Sequence, residues 1–216
     1  QQVAECEDGQ GPSGVYASED YGQSWAHLGP TEVISQAQHL AFDAVDPDLV
    51  YAGTRGTGLW RSLNSGDEWQ DISPEVMLPP LFVDALVTHP DTAGVVYVRL
   101  RSLAEGPNPQ PRLFVSQDAG LAWQELPDVN TAIGDAGGVG LVWMPPSPDS
   151  APYALYTGCD PGLCRTLDDG QTWEHVEGAP RPTVGATMTS NSDEERIRLY
   201  IGSSGGAFAP TGQAVA

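Results

Sequence analysis

Five charged residues could bind or cleave a ligand, judged by their side-chain chemistry and their predicted position: Arg55, Arg101, Arg181, Asp84 and Asp135. The guanidinium group of arginine pairs with carboxylates through two parallel hydrogen bonds, so the arginines suit an acidic ligand. Two carboxylates about 5 to 10 Å apart can hydrolyse a glycosidic bond. All five are predicted to lie on loops of one face, and we take them as candidate binding residues. A chain with 29 acidic residues places some in such loops by chance, so no residue is assigned a catalytic role.

The cysteines offer a second kind of chemistry. Cys159 and Cys164 flank a turn sequence at the facing ends of a predicted hairpin, and a cross-strand disulfide there is geometrically reasonable. Such a bond predicts an oxidising compartment, while the alternative is two reduced thiols. Two cysteines supply too few ligands for zinc, and Cys6 has no evident partner. His27 and His175 are unclustered and are predicted to be structural edge-strand residues, so no metal and no cofactor is predicted.

A repeated eight-residue motif must build the scaffold that positions these residues. In each copy a hydroxyl residue is followed by Asp or Asn two places on, by Gly two places further, and by Trp three places further. The four copies are Ser18, Asp20, Gly22 and Trp25; Ser62, Asn64, Gly66 and Trp69; Ser116, Asp118, Gly120 and Trp123; and Thr166, Asp168, Gly170 and Trp173.

Each motif position has a physical role in a hairpin tip. Asp or Asn accepts hydrogen bonds from the backbone just ahead of it and closes a tight turn, and Gly adopts positive φ at no steric cost. Trp begins the return strand and is expected to bury its ring against the turn, with one acceptor for its indole N–H. The aspartates are therefore expected to hold turns and not to catalyse.

The pattern S/T-x-D-x-G-x-x-W resembles the Asp box, or BNR repeat, of sialidases, sortilin-type receptors, xyloglucan-cleaving glycosidases and photosystem assembly factors. The resemblance implies an all-β fold, a β-propeller of four-stranded antiparallel blades with a box on the hairpin between the two outer strands of each blade. It also implies that ligands bind on the face opposite the boxes. The Arg-Ile-Pro motif of sialidases is absent, and this chain is acidic where the assembly factors are basic.

Trp-to-Trp intervals of 44, 54 and 50 residues fit one blade per repeat. A single propeller domain is predicted over residues 1–216. Its predicted blades are residues 1–28 together with the C-terminal strands, 38–72, 83–126, 139–176 and 185–216. The strands predicted within them include residues 3–6, 49–54, 58–62 and 112–116.

The two ends leave the blade number open. The C-terminal strands could complete the N-terminal blade and close a ring of four, or the ends could be separate and give five blades. An incomplete arc, finished by another chain, is the third arrangement. Open arcs expose unpaired strand edges, which favours self-association through those edges.

Charge and hydropathy exclude several partners. The chain has 29 acidic residues against 9 basic ones, all arginine, and a net charge of −20. Nucleic acids and anionic lipid surfaces are bound through basic residues, so both are poor partners. No stretch approaches the roughly 20 apolar residues of a membrane-spanning helix, so no direct membrane insertion is predicted.

The sequence carries four intact boxes but no assembled active-site signature. We therefore predict a non-catalytic secreted, periplasmic or surface-exposed propeller that binds another protein or a carbohydrate. The alternative is a carbohydrate-active hydrolase, either sialidase-like or a β-glucan glycosidase.

Overall fold

The computed structural model describes residues 12–29, 34–106, 110–126, 140–145, 152–159, 162–179, 185–191, 196–203 and 206–208. Within them the regular structure consists of β-strands and one short 3₁₀ helix, Leu103–Glu105. The strands are β1 (Val15–Ala17), β2 (Ala26–Leu28), β3 (Ala37–Phe42), β4 (Val50–Gly56), β5 (Leu59–Ser62), β6 (Gln70–Asp71), β7 (Leu81–Thr88), β8 (Val96–Ser102), β9 (Arg112–Ser116), β10 (Gln124–Glu125), β11 (Val142–Met144), β12 (Ala154–Cys159), β13 (Gly162–Thr166), β14 (Glu174–His175), β15 (Gly185–Asn191), β16 (Arg196–Ser203) and β17 (Gly206–Phe208).

The prediction of four-stranded antiparallel blades is confirmed. Strands β3 to β6, β7 to β10 and β11 to β14 each pair in sequence order, with an apolar strand first and a two-residue edge strand last. Strands β15 to β17 form a three-stranded sheet, and β1 and β2 form a two-stranded one. The predicted strand at residues 3–6 lies outside the described residues.

The chain forms two compact units, residues 1–124 and 125–216. In the first, buried side chains of β4, β7, β8 and β9 make the main core, with Tyr51, Val98 and Phe114 almost fully enclosed. In the second, Tyr156 and Leu163 are buried at the centre of the β11 to β14 blade. These strands read as near-continuous apolar runs because both of their faces are covered.

Each box closes its own turn by hydrogen bonds within the motif. In the third copy, the Ser116 hydroxyl donates to Asp118 Oδ1 and accepts from the Gly120 N–H at 2.7 Å. The same Asp118 oxygen accepts from the Ala122 N–H at 2.8 Å. In the second copy Asn64 Oδ1 makes the equivalent bonds. The amide keeps these contacts because each of them uses only a lone pair of Oδ1.

The turn needs positive φ at two successive residues, one more than the motif indicates. The box glycines have φ between 85° and 100°, and the residue before each of them has φ between 56° and 61°. Those preceding residues are Tyr21, Ser65, Ala119 and Asp169. Non-glycine residues rarely adopt this conformation, and the dense hydrogen bonding of the turn holds them there.

Each box also packs against the repeat before it. The residue three places after a box Trp lies under the glycine of the next box: Leu28 under Gly66, Ile72 under Gly120, and Leu126 under Gly170. A Cβ on Gly120 would lie 2.5 Å from Ile72 Cδ1. A side chain larger than hydrogen therefore requires the neighbouring residue to shift, at a position where positive φ already favours glycine.

The box tryptophans are less buried than expected. Trp69 and Trp123 pack against core clusters, and the Trp123 indole N–H donates to the Ile72 carbonyl at 2.7 Å. Trp25, in contrast, is 50% exposed. The prediction of a buried tryptophan is therefore wrong at Trp25.

Candidate functional site

A groove of about 400 Å³ lies where two neighbouring blades meet in the first unit. The end of β4 pairs with the beginning of β7, with Arg55 opposite Phe82 and Gly56 opposite Leu81. This short pairing joins the two blades into one sheet. The groove is lined by Gln38, Arg55, Phe82, Val83, Asp84, Arg101 and Leu103.

Asp84 lies at an irregular point of its strand. The pairing register of β7 with β8 shifts between Val83 and Ala85, so Asp84 has no partner residue across the strand pair. Such bulges re-aim a side chain and recur next to functional sites. The Asp84 side chain is only 13% exposed, and its Oδ1 accepts a hydrogen bond from the Arg101 guanidinium at 2.8 Å.

Two further basic groups interact electrostatically with the Asp84 carboxylate. Arg99, two residues before Arg101 on β8, is 1% exposed, and burial lowers its guanidinium pKa to about 10 while Asp84 acts in the opposite direction. Burial also lowers the pKa of His39, and Asp84 again opposes the shift. The Asp84 carboxylate therefore provides the negative charge near three basic side chains, those of Arg99, Arg101 and His39.

Arg55 provides the opposite wall of the groove. Its guanidinium lies 5.5 Å from the centroid of the Phe82 ring, within the range of a cation–π contact. The Arg55 side chain is exposed and Phe82 is half-buried. Together they place an aromatic ring and a guanidinium group with several hydrogen-bond donors side by side in the groove.

The structure brings together three of the five candidate residues, Arg55, Asp84 and Arg101. The prediction that they lie on loops is wrong, because they lie on strands β4, β7 and β8. The other two, Arg181 and Asp135, lie outside the described residues. The sequence analysis did not single out Gln38, Phe82, His39 or Arg99. Arg99 could have been found, because it is a charged residue inside the otherwise apolar run Val96–Leu100.

The groove residues occupy equivalent positions in the two blades. Val50 and Val96 face the box residues Ser62 and Ser116 across their strand pairs, and each is followed five residues later by an arginine, Arg55 or Arg101.

The inner strands show the same correspondence. A register shift like the one at Asp84 falls at Gln38 on β3, between Ala37 and His39. Two repeats thus share the same framework, a register shift on the first strand and an arginine at the end of the second. The residue at the shift is an amide, Gln38, in the first of these repeats and a carboxylate, Asp84, in the second.

Cys159 and Cys164 form a disulfide across the β12–β13 hairpin, with their Cα atoms 5.7 Å apart. Both are 2% exposed. Cys6 lies outside the described residues. Among the residues described, the structure contains no helical segment with the length and hydropathy of a bilayer span.

Comparison with known families matches residues 13–128 to Sortilin-Vps10, described as sortilin, neurotensin receptor 3. A curated relative, the probable oligoxyloglucan-reducing end-specific xyloglucanase of Neosartorya fischeri, is 26% identical over 203 residues, which are 89% of this chain and 23% of that protein. The chain therefore spans about a quarter of this relative's length.

Two solved structures share the fold. The GH74 xyloglucanase from Xanthomonas campestris superposes with a TM-score of 0.63 at 20% identity, over 88% of this chain and 31% of that one. The ancestral GH74 enzyme superposes with a TM-score of 0.55 at 19% identity, over 77% of this chain and 22% of that one. The predicted all-β propeller architecture is confirmed, and the chain corresponds to part of these longer propeller proteins.

The same relatives contradict the predicted function. We expected a non-catalytic binding module from the absence of an active-site signature. The relatives are named as xyloglucan-cleaving enzymes, which favours the alternative, a carbohydrate-active hydrolase. The expectation was wrong because hydrolysis of a glycoside needs only two carboxylates, which no local motif announces.

Proposed function

The chain belongs to the Sortilin-Vps10 family. Within this family, we propose that it is part of a carbohydrate-active hydrolase that acts on a xyloglucan-type β-glucan. The observation that carries the proposal is the 26% identity to a probable xyloglucanase over 89% of the chain. We propose the groove between the first two complete blades as a sugar-binding site of this enzyme. Its volume of about 400 Å³ falls within the range of small-molecule sites, about 300 to 1,000 Å³.

Asp84 is the groove residue with the chemistry for bond cleavage. It is the one acid among the described residues that line the groove, and its Oδ1 accepts a hydrogen bond from the Arg101 guanidinium at 2.8 Å. A charged carboxylate serves as the general base or nucleophile of a glycosidase, or stabilises the positive charge that develops on the sugar ring. Arg101 is then a positioning residue, because it holds the carboxylate at a fixed angle.

The arrangement leaves the second carboxylate to be supplied from elsewhere. A glycosidase needs an acid to protonate the leaving oxygen as well as a base or nucleophile. Asp135 is the candidate that the sequence offers, and it lies outside the described residues. We propose Arg55 and Phe82 as the binding platform, because the ring supplies apolar contact to a sugar face and the guanidinium supplies donors.

We also propose that the protein is secreted. The Cys159–Cys164 disulfide supports this, since such bonds persist in oxidising compartments and are rare in the cytosol. The net charge of −20 suits a protein that stays soluble there.

The proposal is tested by measuring the release of reducing ends from xyloglucan oligosaccharides by the purified 216-residue chain. Asp84→Asn is expected to lower turnover by about 100-fold or more, the range for loss of a general acid or base, while glycan binding measured by calorimetry changes little. The matched control is Asp67→Asn, an exposed acid in a box turn away from the groove.

Arg101→Ala provides the second arm of the experiment. It is expected to lower turnover as well, because it releases the Asp84 carboxylate from its 2.8 Å contact. Absence of both turnover and saturable glycan binding in the parent chain contradicts the proposed function. Turnover that is unchanged in Asp84→Asn contradicts the role of Asp84 alone.

A further inference from the structure

A histidine lies directly beside the disulfide of the β11 to β14 blade. His175 Nδ1 is 3.4 Å from Cys159 Sγ and 3.7 Å from Cys164 Sγ. All three potential ligand atoms lie within 4.8 Å of one another. The cysteines are buried and the imidazole is exposed, so the cluster has one side open to solvent.

Three adjacent strands hold these side chains in place. Cys164 on β13 lies opposite His175 on β14, and Cys159 ends β12, which pairs with β13. The pairing continues past the histidine, where the Val176 N–H donates to the Leu163 carbonyl at 2.8 Å. Strand pairing, and not the sulfur–sulfur bond alone, therefore holds the three side chains close together.

Two of the three distances in the cluster match those between ligands of a tetrahedral metal. With Zn–S of about 2.3 Å and Zn–N of about 2.0 Å, tetrahedral angles place a sulfur and a nitrogen ligand about 3.5 Å apart. The two observed sulfur–nitrogen distances, 3.4 and 3.7 Å, lie on either side of this value. Only the two sulfurs must separate, from bonding distance to about 3.8 Å.

We propose that reduction of the disulfide converts this cluster into a site for a thiophilic divalent cation such as Zn²⁺. The ligands are Cys159 Sγ, Cys164 Sγ and His175 Nδ1, and water takes the fourth position on the exposed side. Two cysteines alone supply too few ligands, and the third comes from the neighbouring edge strand.

The chemistry balances with a dithiol as reductant. The dithiol gives two electrons and two protons to the disulfide, which becomes two thiols, and is itself oxidised to a disulfide. Binding of the cation then displaces the two thiol protons to solvent, while the neutral imidazole coordinates through its lone pair. In the oxidised protein both sulfurs are used by their mutual bond, so redox state decides whether the site exists.

The equivalent position in another repeat provides a matched control. His27 also stands two residues after a box Trp, but it lies opposite Tyr16 and not opposite a cysteine. The two rings meet edge to face with their centroids 4.9 Å apart. His27 therefore shares the strand position of His175 without the sulfur ligands.

The test uses the purified chain, reduced with a dithiol that is then removed under anaerobic conditions, and Co²⁺ as a spectroscopic probe. We expect one equivalent of Co²⁺ to give the thiolate-to-metal and tetrahedral d–d absorption bands, and one equivalent of Zn²⁺ to displace it. His175→Ala is expected to weaken binding by at least about tenfold, since even indirect support of a ligand is worth that much. His27→Ala is expected to bind like the parent chain.

Three results would overturn the proposal. The first is a reduced chain that shows no thiolate–cobalt band, including one that circular dichroism shows to have unfolded on reduction. The second is His175→Ala binding as tightly as the parent chain. The third is equal binding by the oxidised protein, which would assign the metal to surface carboxylates.

Discussion

Replacing Gly120 by alanine tests whether the box glycines connect consecutive repeats. Gly120 has φ of +88°, and an added Cβ would lie 2.5 Å from Ile72 Cδ1 and 3.2 Å from Ile72 Cβ. The terminal methyl of Ile72 can rotate away, but its Cβ is fixed to the backbone. The substitution therefore combines backbone strain with overpacking between two repeats.

Gly22→Ala separates the two effects, because Gly22 holds the same place in the first box. Its φ is +85°, and the nearest atom to an added Cβ is Trp25 Cζ2 at 3.7 Å, an ordinary contact. Left-handed backbone costs an alanine about 1 to 2 kcal/mol, and overpacking of a filled site costs about 1 to 3 kcal/mol more. We expect a loss of about 1 to 2 kcal/mol for Gly22→Ala and about 2 to 5 kcal/mol for Gly120→Ala.

The free energy of unfolding is measured by urea denaturation followed by tryptophan fluorescence and far-ultraviolet circular dichroism, which must coincide for a two-state analysis. A third variant, Gly120→Ala with Ile72→Val, should recover part of the loss because the clashing methyl is gone. If Gly120→Ala and Gly22→Ala differ by less than about 0.5 kcal/mol, the contact between Gly120 and Ile72 does not connect the repeats.

Three further outcomes follow from the structure. The Ser24 hydroxyl, with other bonds of the turn, lowers the pKa of Asp20 from 3.8 to about 2; the stability that this adds is complete above pH 4 and is lost as pH falls to about 2. Asp20→Asn should thus flatten the fall of the melting temperature over that range, and an unchanged slope would refute the assignment. Trp123→Ala should cost about 3 kcal/mol in urea unfolding, the lower end for a large aromatic, because the side chain is only partly buried and its bond to Ile72 of the preceding repeat is lost. Trp25→Ala, at an exposed residue, should cost clearly less, and equal losses would contradict this reasoning. Cys159 and Cys164 should resist alkylation until a reductant is added, and immediate labelling, detected by mass spectrometry, would show that the bond is absent.

The strand plan of this chain could be predicted because each tryptophan marks the same point of a repeat. The predicted strand Gly58–Ser62 is observed as Leu59–Ser62, and Arg112–Ser116 is observed unchanged. The bound at Gly58 is off by one residue because Gly58, with φ of +88°, belongs to the turn before the strand. The bounds are less accurate for β4, which was predicted to end at Thr54 and continues to Gly56, because its last residues pair with the next blade.

The same extra pairing explains why the site was only partly predictable. Arg55, Asp84 and Arg101 were selected by residue type and loop position, and the structure places all three in one groove. The contact of Arg55 with Phe82 depends on pairing between two blades, which local sequence patterns do not encode. The proximity of His175 to the two cysteines was missed for a similar reason, since its equivalence to His27 in the repeat concealed that its cross-strand neighbour is Cys164.

Both candidate sites arise where one repeat departs from its equivalents. The framework of bulge and arginine is present in two blades, but the bulge carries an amide at Gln38 and a carboxylate only at Asp84. A repeat scaffold supplies the same backbone geometry at each copy, so a single substitution changes the chemistry without a change in fold. The box aspartates show the converse, because Asn64 replaces Asp and the turn stays intact. Residues that vary while the backbone is constant are therefore better guides to function in this chain than its repeated motif.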